Sequence, residues 1–156
     1  MRKILSFSLI LFIVDQIIKL IVKVNIDLNG SILVLNDFFY LSHVHNYGAA
    51  FSILYGNRIF LILFSIFSLI LIYMFFIKNN KLNKLDYIIY SLLYGGIVGN
   101  LFDRIVYGYV IDYLDFYIFN YNFPVFNFAD VCIVISVILI IFDSIRGVLY
   151  ENRSKK

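Results

Sequence analysis

The chain has 156 residues, of which 62% are hydrophobic and 15% charged, with a formal net charge of +3. Soluble domains carry about 45–50% apolar and about 25% charged residues, and a chain this short cannot hide the surplus in one core. These figures exclude a disordered segment, a collagen-like repeat, a coiled coil and a disulfide-stapled secreted module, and leave an integral membrane protein.

The first span is expected over about 4–26. It reads apolar to Val14 and then meets Asp15 and Lys19. Arg2 and Lys3 precede it as in a secretory signal peptide, but no small-residue cleavage site follows, and two internal charges do not suit a disposable segment. It is expected to be a retained helix. Segments 31–35 and 38–45 are rich in β-branched and aromatic residues and flank a turn at Asn36-Asp37, which predicts a small β-element on the membrane surface. A short apolar helix is expected over 49–54.

The span over 59–77 holds no charge, and about 20 such residues cross a hydrocarbon core of roughly 30 Å. A third span over about 87–104 is interrupted by Gly95, Gly96 and Gly99, where Gly95-x-x-x-Gly99 suits close helix packing. The loop over 107–126 carries an aromatic run that suits the headgroup region, and a fourth span covers about 130–150. No repeat or linker interrupts the chain, so residues 1–156 are read as one membrane-embedded domain.

Basic residues set the orientation. Arg2 and Lys3, then Lys78, Lys81 and Lys84, then Arg146, Arg153, Lys155 and Lys156 put nine of 13 on one side of a four-span chain. That side is expected to be the cytoplasm, with both termini. Seven of the ten acids lie in or beside the opposite half, which points to the outer face as the place of any chemistry.

Several polar residues have two readings. Asp15 is either an i,i+4 partner of Lys19 or a functional intramembrane acid. Asn100 and Arg104 share one face of the third span; the arginine can snorkel to the interface. Asn127 and Asp130 read as a helix cap and a first-turn acid, and Asp112 and Asp115 as solvated loop acids. The alternative joins Asp112 and Asp130 through the outer loop. Two close carboxylates share a proton, so one can activate water while the other polarises a carbonyl.

Competing chemistries are poorly supplied. Cys132 sits in an apolar helix as a small hydrophobe. His43 and His45 share a strand face without an obvious third ligand, so no metal site is expected. No nucleotide or nucleophile-elbow motif occurs, and the basic residues are too few and dispersed for nucleic acid. A non-enzymatic channel subunit or assembly factor is the rival class, with the acids lining a pore or meeting a partner.

The motifs Asp15-Gln16-x-x-Lys19, Asn46-Tyr47-Gly48-Ala49-Ala50-Phe51-Ser52, Gly95-Gly96-x-x-Gly99-Asn100-x-x-Asp103-Arg104, Val110-Ile111-Asp112-Tyr113 and Phe126-Asn127-x-Ala129-Asp130 come in a fixed order. Together they resemble the boxes of the lipoprotein signal peptidase (signal peptidase II) family. The resemblance implies an all-α membrane protein, a four-helix bundle with a small extracytoplasmic β-cradle and a short outer helix. It implies an aspartyl endopeptidase of the bacterial cytoplasmic membrane that cuts prolipoproteins before a diacylglyceryl-modified Cys, with membrane lipids as its other partners and no cofactor.

By motif position Asp112 and Asp130 are the catalytic pair. Asn46, Asn100, Arg104 and Asn127 position or hydrogen-bond around it, and Asp15 supports it. Asp103 is expected to support Arg104, and Asp115 the loop. The aromatic segment 116–123 and the strands are expected to cover the substrate, with Phe51 at the rim. Two departures stand out: His45 occupies a position where the family often has Arg, and the aspartate box reads Ile-Asp-Tyr rather than Val-Asp-Phe.

Overall fold

In lipid every backbone polar group needs a partner within the protein, and for this chain the helix supplies it. The computed structural model describes residues 1–36, 38–49, 53–78, 80–119 and 121–154, with side chains as far as 146. Its helices are α1 (Arg2–Asn25), α2 (Arg58–Ile72), α3 (Lys84–Val106) and α4 (Phe128–Ser154). A π-helical turn, Tyr73–Ile77, extends α2, and all four helical segments are long and apolar enough to cross a membrane. In α2 the Ser65 and Ser68 hydroxyls donate to the carbonyls of Leu61 and Phe64, so they carry no unmet polarity into lipid.

A polar cap extends α3 past its apolar run. Asn83 Oδ1 accepts from the amides of Leu85 and Asp86, while Asp86 Oδ2 accepts from the Asn83 amide. This capping box starts α3 before its first apolar residue.

Helix α3 is the packing centre, lying against both α1 and α4. A Cβ on Gly95 would stand 2.9 Å from Leu11 Cβ, and one on Gly99 would stand 2.6 Å from Asp15 Oδ2, so the expected glycine pair brings α1 close. Gly96 does the same for α4, where a Cβ would strike the Ala129 carbonyl. By contrast Leu61 is the one buried residue of α2 between Arg58 and Ile72, leaving that helix almost wholly to lipid.

Strands β1 (Ser31–Leu35), β2 (Phe39–Asn46), β3 (Val110–Ile118) and β4 (Tyr121–Asn122) form one antiparallel sheet in the order β1-β2-β3-β4. The sequence indicates only the first two. The rest of the sheet lies in what reads as an aromatic loop, because Asp112 and Asp115 interrupt the apolar alternation that marks a strand. Pairing with β2 overrides that pattern.

The β2–β3 register sets Val44 opposite Asp112 and Asn46 opposite Val110, with a bulge between Leu41 and Val44. Val22 of α1 and Ile26, the residue that caps it, pack on Ile111 and Tyr113 of β3, fastening the sheet to one end of the bundle. Strand β1 is exposed along its whole length although four of its five residues are apolar. Of the expected outer helix over 49–54 and the turn at Asn36-Asp37, residues 50–52 and Asp37 lie outside the described set, as does the rim position of Phe51; residues 53–56 form a turn.

Candidate active site

A buried ion network links α1 to α3. Lys19 Nζ lies 2.8 Å from Asp15 Oδ2 and 2.8 Å from Asp103 Oδ2, and it donates to Asn100 Oδ1 at 3.1 Å. Desolvating an ammonium costs several kcal/mol unless its donors are met, and here three acceptors meet three donors. Gln16 Nε2 donates to Asp103 Oδ1 at 2.9 Å, and Asp15 Oδ1 accepts from the Ala129 amide at 3.1 Å. The i,i+4 pairing of Asp15 with Lys19 is therefore present and belongs to a larger network. Asp103 does not form a salt bridge with Arg104 among the described residues; it serves Lys19, Gln16 and the Ile111 amide. Adjacent residues point about 100° apart on a helix, so Asp103 acts on Arg104 through its charge rather than through a direct ion pair.

Lys19 also sets the orientation of Asn100. Its Oδ1 accepts from Lys19 and from Asn127 Nδ2, so its Nδ2 turns to Asp130 Oδ1 at 2.7 Å. Asn127 does two things with different atoms. Its Oδ1 accepts from the Asp130 amide at 3.0 Å while Asp130 Oδ2 accepts from the Asn127 amide at 3.1 Å, a reciprocal cap on α4. Its Nδ2 donates to Asp112 Oδ1 at 2.6 Å. Asn46, fixed because its Oδ1 accepts from the Gly48 amide, donates to Asp112 Oδ2 at 2.9 Å. Capping and site formation are thus compatible.

Asp112 and Asp130 line one cavity of about 480 Å³ together with Asn46, Asn100 and Arg104. Its other walls include Phe123, Phe126 and Val134. Asp112 is only 2% exposed, so it is not a solvated loop acid; burial first, and the Asp130 carboxylate second, push its pKa up to about 7. Asp115 is also buried, accepting from Ser42 Oγ at 2.6 Å. Arg104 reaches across to the Gly48 carbonyl at 2.9 Å, and its Nε is buried with no hydrogen-bond partner among the described residues. A buried acid that titrates near neutrality beside a second carboxylate in an apolar cleft has the attributes of an acid–base site.

The family model described as signal peptidase (SPase) II matches residues 7–146. The chain belongs to the signal peptidase II family. The lipoprotein signal peptidase of Staphylococcus carnosus (strain TM300) is 36% identical over 152 residues, covering 97% of this chain and 93% of that protein. That of Pasteurella multocida (strain Pm70) is 40% identical over 148 residues, covering 92% and 88%. A bacterial membrane enzyme solved in meso at 2.3 Å superposes with a TM-score of 0.86 at 35% identity, over 100% of this chain and 93% of that one. Signal peptidase II membership makes the chain a hydrolase of the peptidase class and, with its four long apolar helices, a multi-pass bacterial membrane protein.

Lys19, Gln16 and Asp103 join in one buried network behind the cavity, a link between α1 and α3 that the motif positions alone do not give. The available signal was Lys19 itself, an intramembrane charge that requires partners; its local pairing with Asp15 masked the longer-range ones.

Proposed function

We propose that the chain is an aspartyl endopeptidase that removes signal peptides from bacterial prolipoproteins, cutting before a diacylglyceryl-modified Cys at the outer interface of the cytoplasmic membrane. The observation that carries this reading is the meeting of Asp112 and Asp130, from β3 and α4, in one apolar cavity with Asn127 bridging them. Cytoplasmic termini follow from the basic residues near 2–3, 78–84 and the C-terminal end. This orientation puts the cavity near the outer interface, where a substrate anchored by its acyl chains holds its scissile bond.

Asp130 is the base and Asp112 the acid. Asp130 is half-buried and opens on the cavity, whereas Asp112, with its pKa raised to about 7, retains a proton in much of the population near neutrality. Asp130 takes a proton from a water molecule as the water oxygen bonds to the scissile carbonyl carbon, and Asp112 protonates the carbonyl oxygen, giving a gem-diol. Asp130 then delivers its proton to the amide nitrogen, the C–N bond breaks, and Asp112 recovers its proton as the carbonyl re-forms as a carboxylic acid. Asn46 and Asn127 donate to Asp112, and Asn100 donates to Asp130, so the three asparagines orient the two carboxylates. Arg104 and Asp15 position the surrounding backbone, and the walls at Phe123 and Phe126 exclude solvent, which strengthens the electrostatics inside.

Incubating the purified protein with a diacylglyceryl prolipoprotein tests this. A mass loss equal to the signal peptide is expected, abolished in Asp112→Asn and Asp130→Asn; normal cleavage by either variant removes that residue from the pair.

A further inference from the structure

The chain has two histidines, and they meet. Neither has a part in the peptidase reading. His43 and His45 are i and i+2 on β2, so they project to one face. His43 falls within the register shift between Leu41 and Val44, an irregularity of the kind that re-aims a side chain. Their Nε2 atoms stand 3.2 Å apart, with ring centroids 5.0 Å apart and planes at 68°. Two imidazole nitrogens each bonded at 2.0–2.1 Å to one tetrahedral zinc would be about 3.3 Å apart. The pair already has that spacing.

The far side of His43 is anchored. Its Nδ1 lies 2.8 Å from the Ile26 carbonyl, which only accepts, so Nδ1 carries the hydrogen and Nε2 keeps its lone pair. A ring N–H donated to a backbone carbonyl is the outer-shell arrangement that orients metal-bound histidines. The ring of His45 is fixed as well, stacked on Tyr109 at 3.6 Å and 16°.

We propose that His43 and His45 form a two-histidine site for a borderline divalent transition ion, with Zn²⁺ as the reference ligand. Without the ion, the Nε2 hydrogen of His45 points to His43 Nε2. On binding, that proton moves through solvent to His45 Nδ1, both Nε2 lone pairs go to the metal, and no net proton is released. No third histidine, cysteine or carboxylate joins the pair among the described residues, so water completes the coordination. Half the ligand set of a structural zinc site gives an expected Kd of about 1–100 μM. The Lys23 ammonium, lying over the Tyr107 ring at 4.2 Å, places a positive charge that acts on His45 and opposes cation binding. Hard ions that prefer oxygen, such as Mg²⁺, do not suit it.

Isothermal titration of the detergent-purified full chain with ZnCl₂ tests the site. One saturable event is expected, at least about tenfold weaker in His43→Gln and in His45→Gln and unchanged in Cys132→Ser, which removes the chain's single thiol. Zinc-edge X-ray absorption on the unmodified protein should give two imidazole nitrogens at about 2.0 Å, and this decides the matter should a variant fail to fold. No saturable binding, undiminished affinity in a folded histidine variant, loss of binding in a folded Cys132→Ser, or an absorption spectrum without imidazole scattering would each overturn the proposal.

Discussion

Replacing Lys19 by Met removes one charge and nearly no volume, and it strands two carboxylates. In the native fold Lys19 lies 2.8 Å from both Asp15 and Asp103, with side-chain exposure of 2%, 1% and 0% for the three residues. Removing one partner of a buried ion pair costs about 3–5 kcal/mol, and here two acids lose their shared cation, so the upper half of that range is expected. Asp103→Asn should be milder, about 1–3 kcal/mol, because the Lys19–Asp15 pair survives and Gln16 still finds a carbonyl oxygen. The double variant should be less destabilised than the two single losses added, by at least about 1 kcal/mol.

The chain has no Trp and one Cys, and Cys132 is buried in α4. Thiol labelling along a denaturant titration in detergent therefore reads the unfolding equilibrium directly. A Lys19→Met variant within about 1 kcal/mol of the unmodified protein would show that the two acids do not depend on the shared cation, as would strict additivity in the double variant.

Asp112 titrates from a reference of 3.8 to about 7 in the fold, so between those pH values the unfolded chain releases a proton that the folded chain keeps. Stability should fall by about 4 kcal/mol as pH rises across that window and level off above it. Asp112→Asn should gain relative stability from about pH 4 to 7 and none below; a pH-independent difference in thiol labelling would contradict the shift. Cleavage by the unmodified protein should decline above about pH 7 as Asp112 loses its proton, measured as the falling limb of the kcat/KM profile. Gly96→Ala drives a methyl into the Ala129 carbonyl and Ile133, an overpacking worth about 1–3 kcal/mol, read by the same labelling. Ser42→Ala leaves the buried Asp115 without its 2.6 Å donor, costing about 1–3 kcal/mol, which Ser42→Thr should largely restore.

The helices were legible because their cause is local: a run of apolar residues about as long as the bilayer is thick. Strands β1 and β2 announced themselves by β-branched and aromatic residues. Strand β3 did not, since Asp112 and Asp115 sit within it and its formation depends on partners in β2. Asn127 read as a cap, and the structure keeps that reading; its bridging role uses Nδ2, an atom the cap leaves free, and depends on β3 arriving opposite. Lys19 paired so well with Asp15 along the helix that nothing in the sequence demanded Asp103 and Asn100, which become its neighbours only when Gly95 and Gly99 let α1 and α3 approach.

Strand β1 borders the sheet and exposes Ile32, Leu33, Val34 and Leu35 on both faces. An uncovered edge of that composition is a template for pairing with another chain. The bilayer surface can cover it, whereas a micelle too small to reach the sheet leaves it bare. Copies stripped of lipid should then associate edge to edge while each bundle stays intact. Loss of monodispersity during purification would report on β1 rather than on the helices, and a charge introduced at Val34 should restore it without touching the cavity.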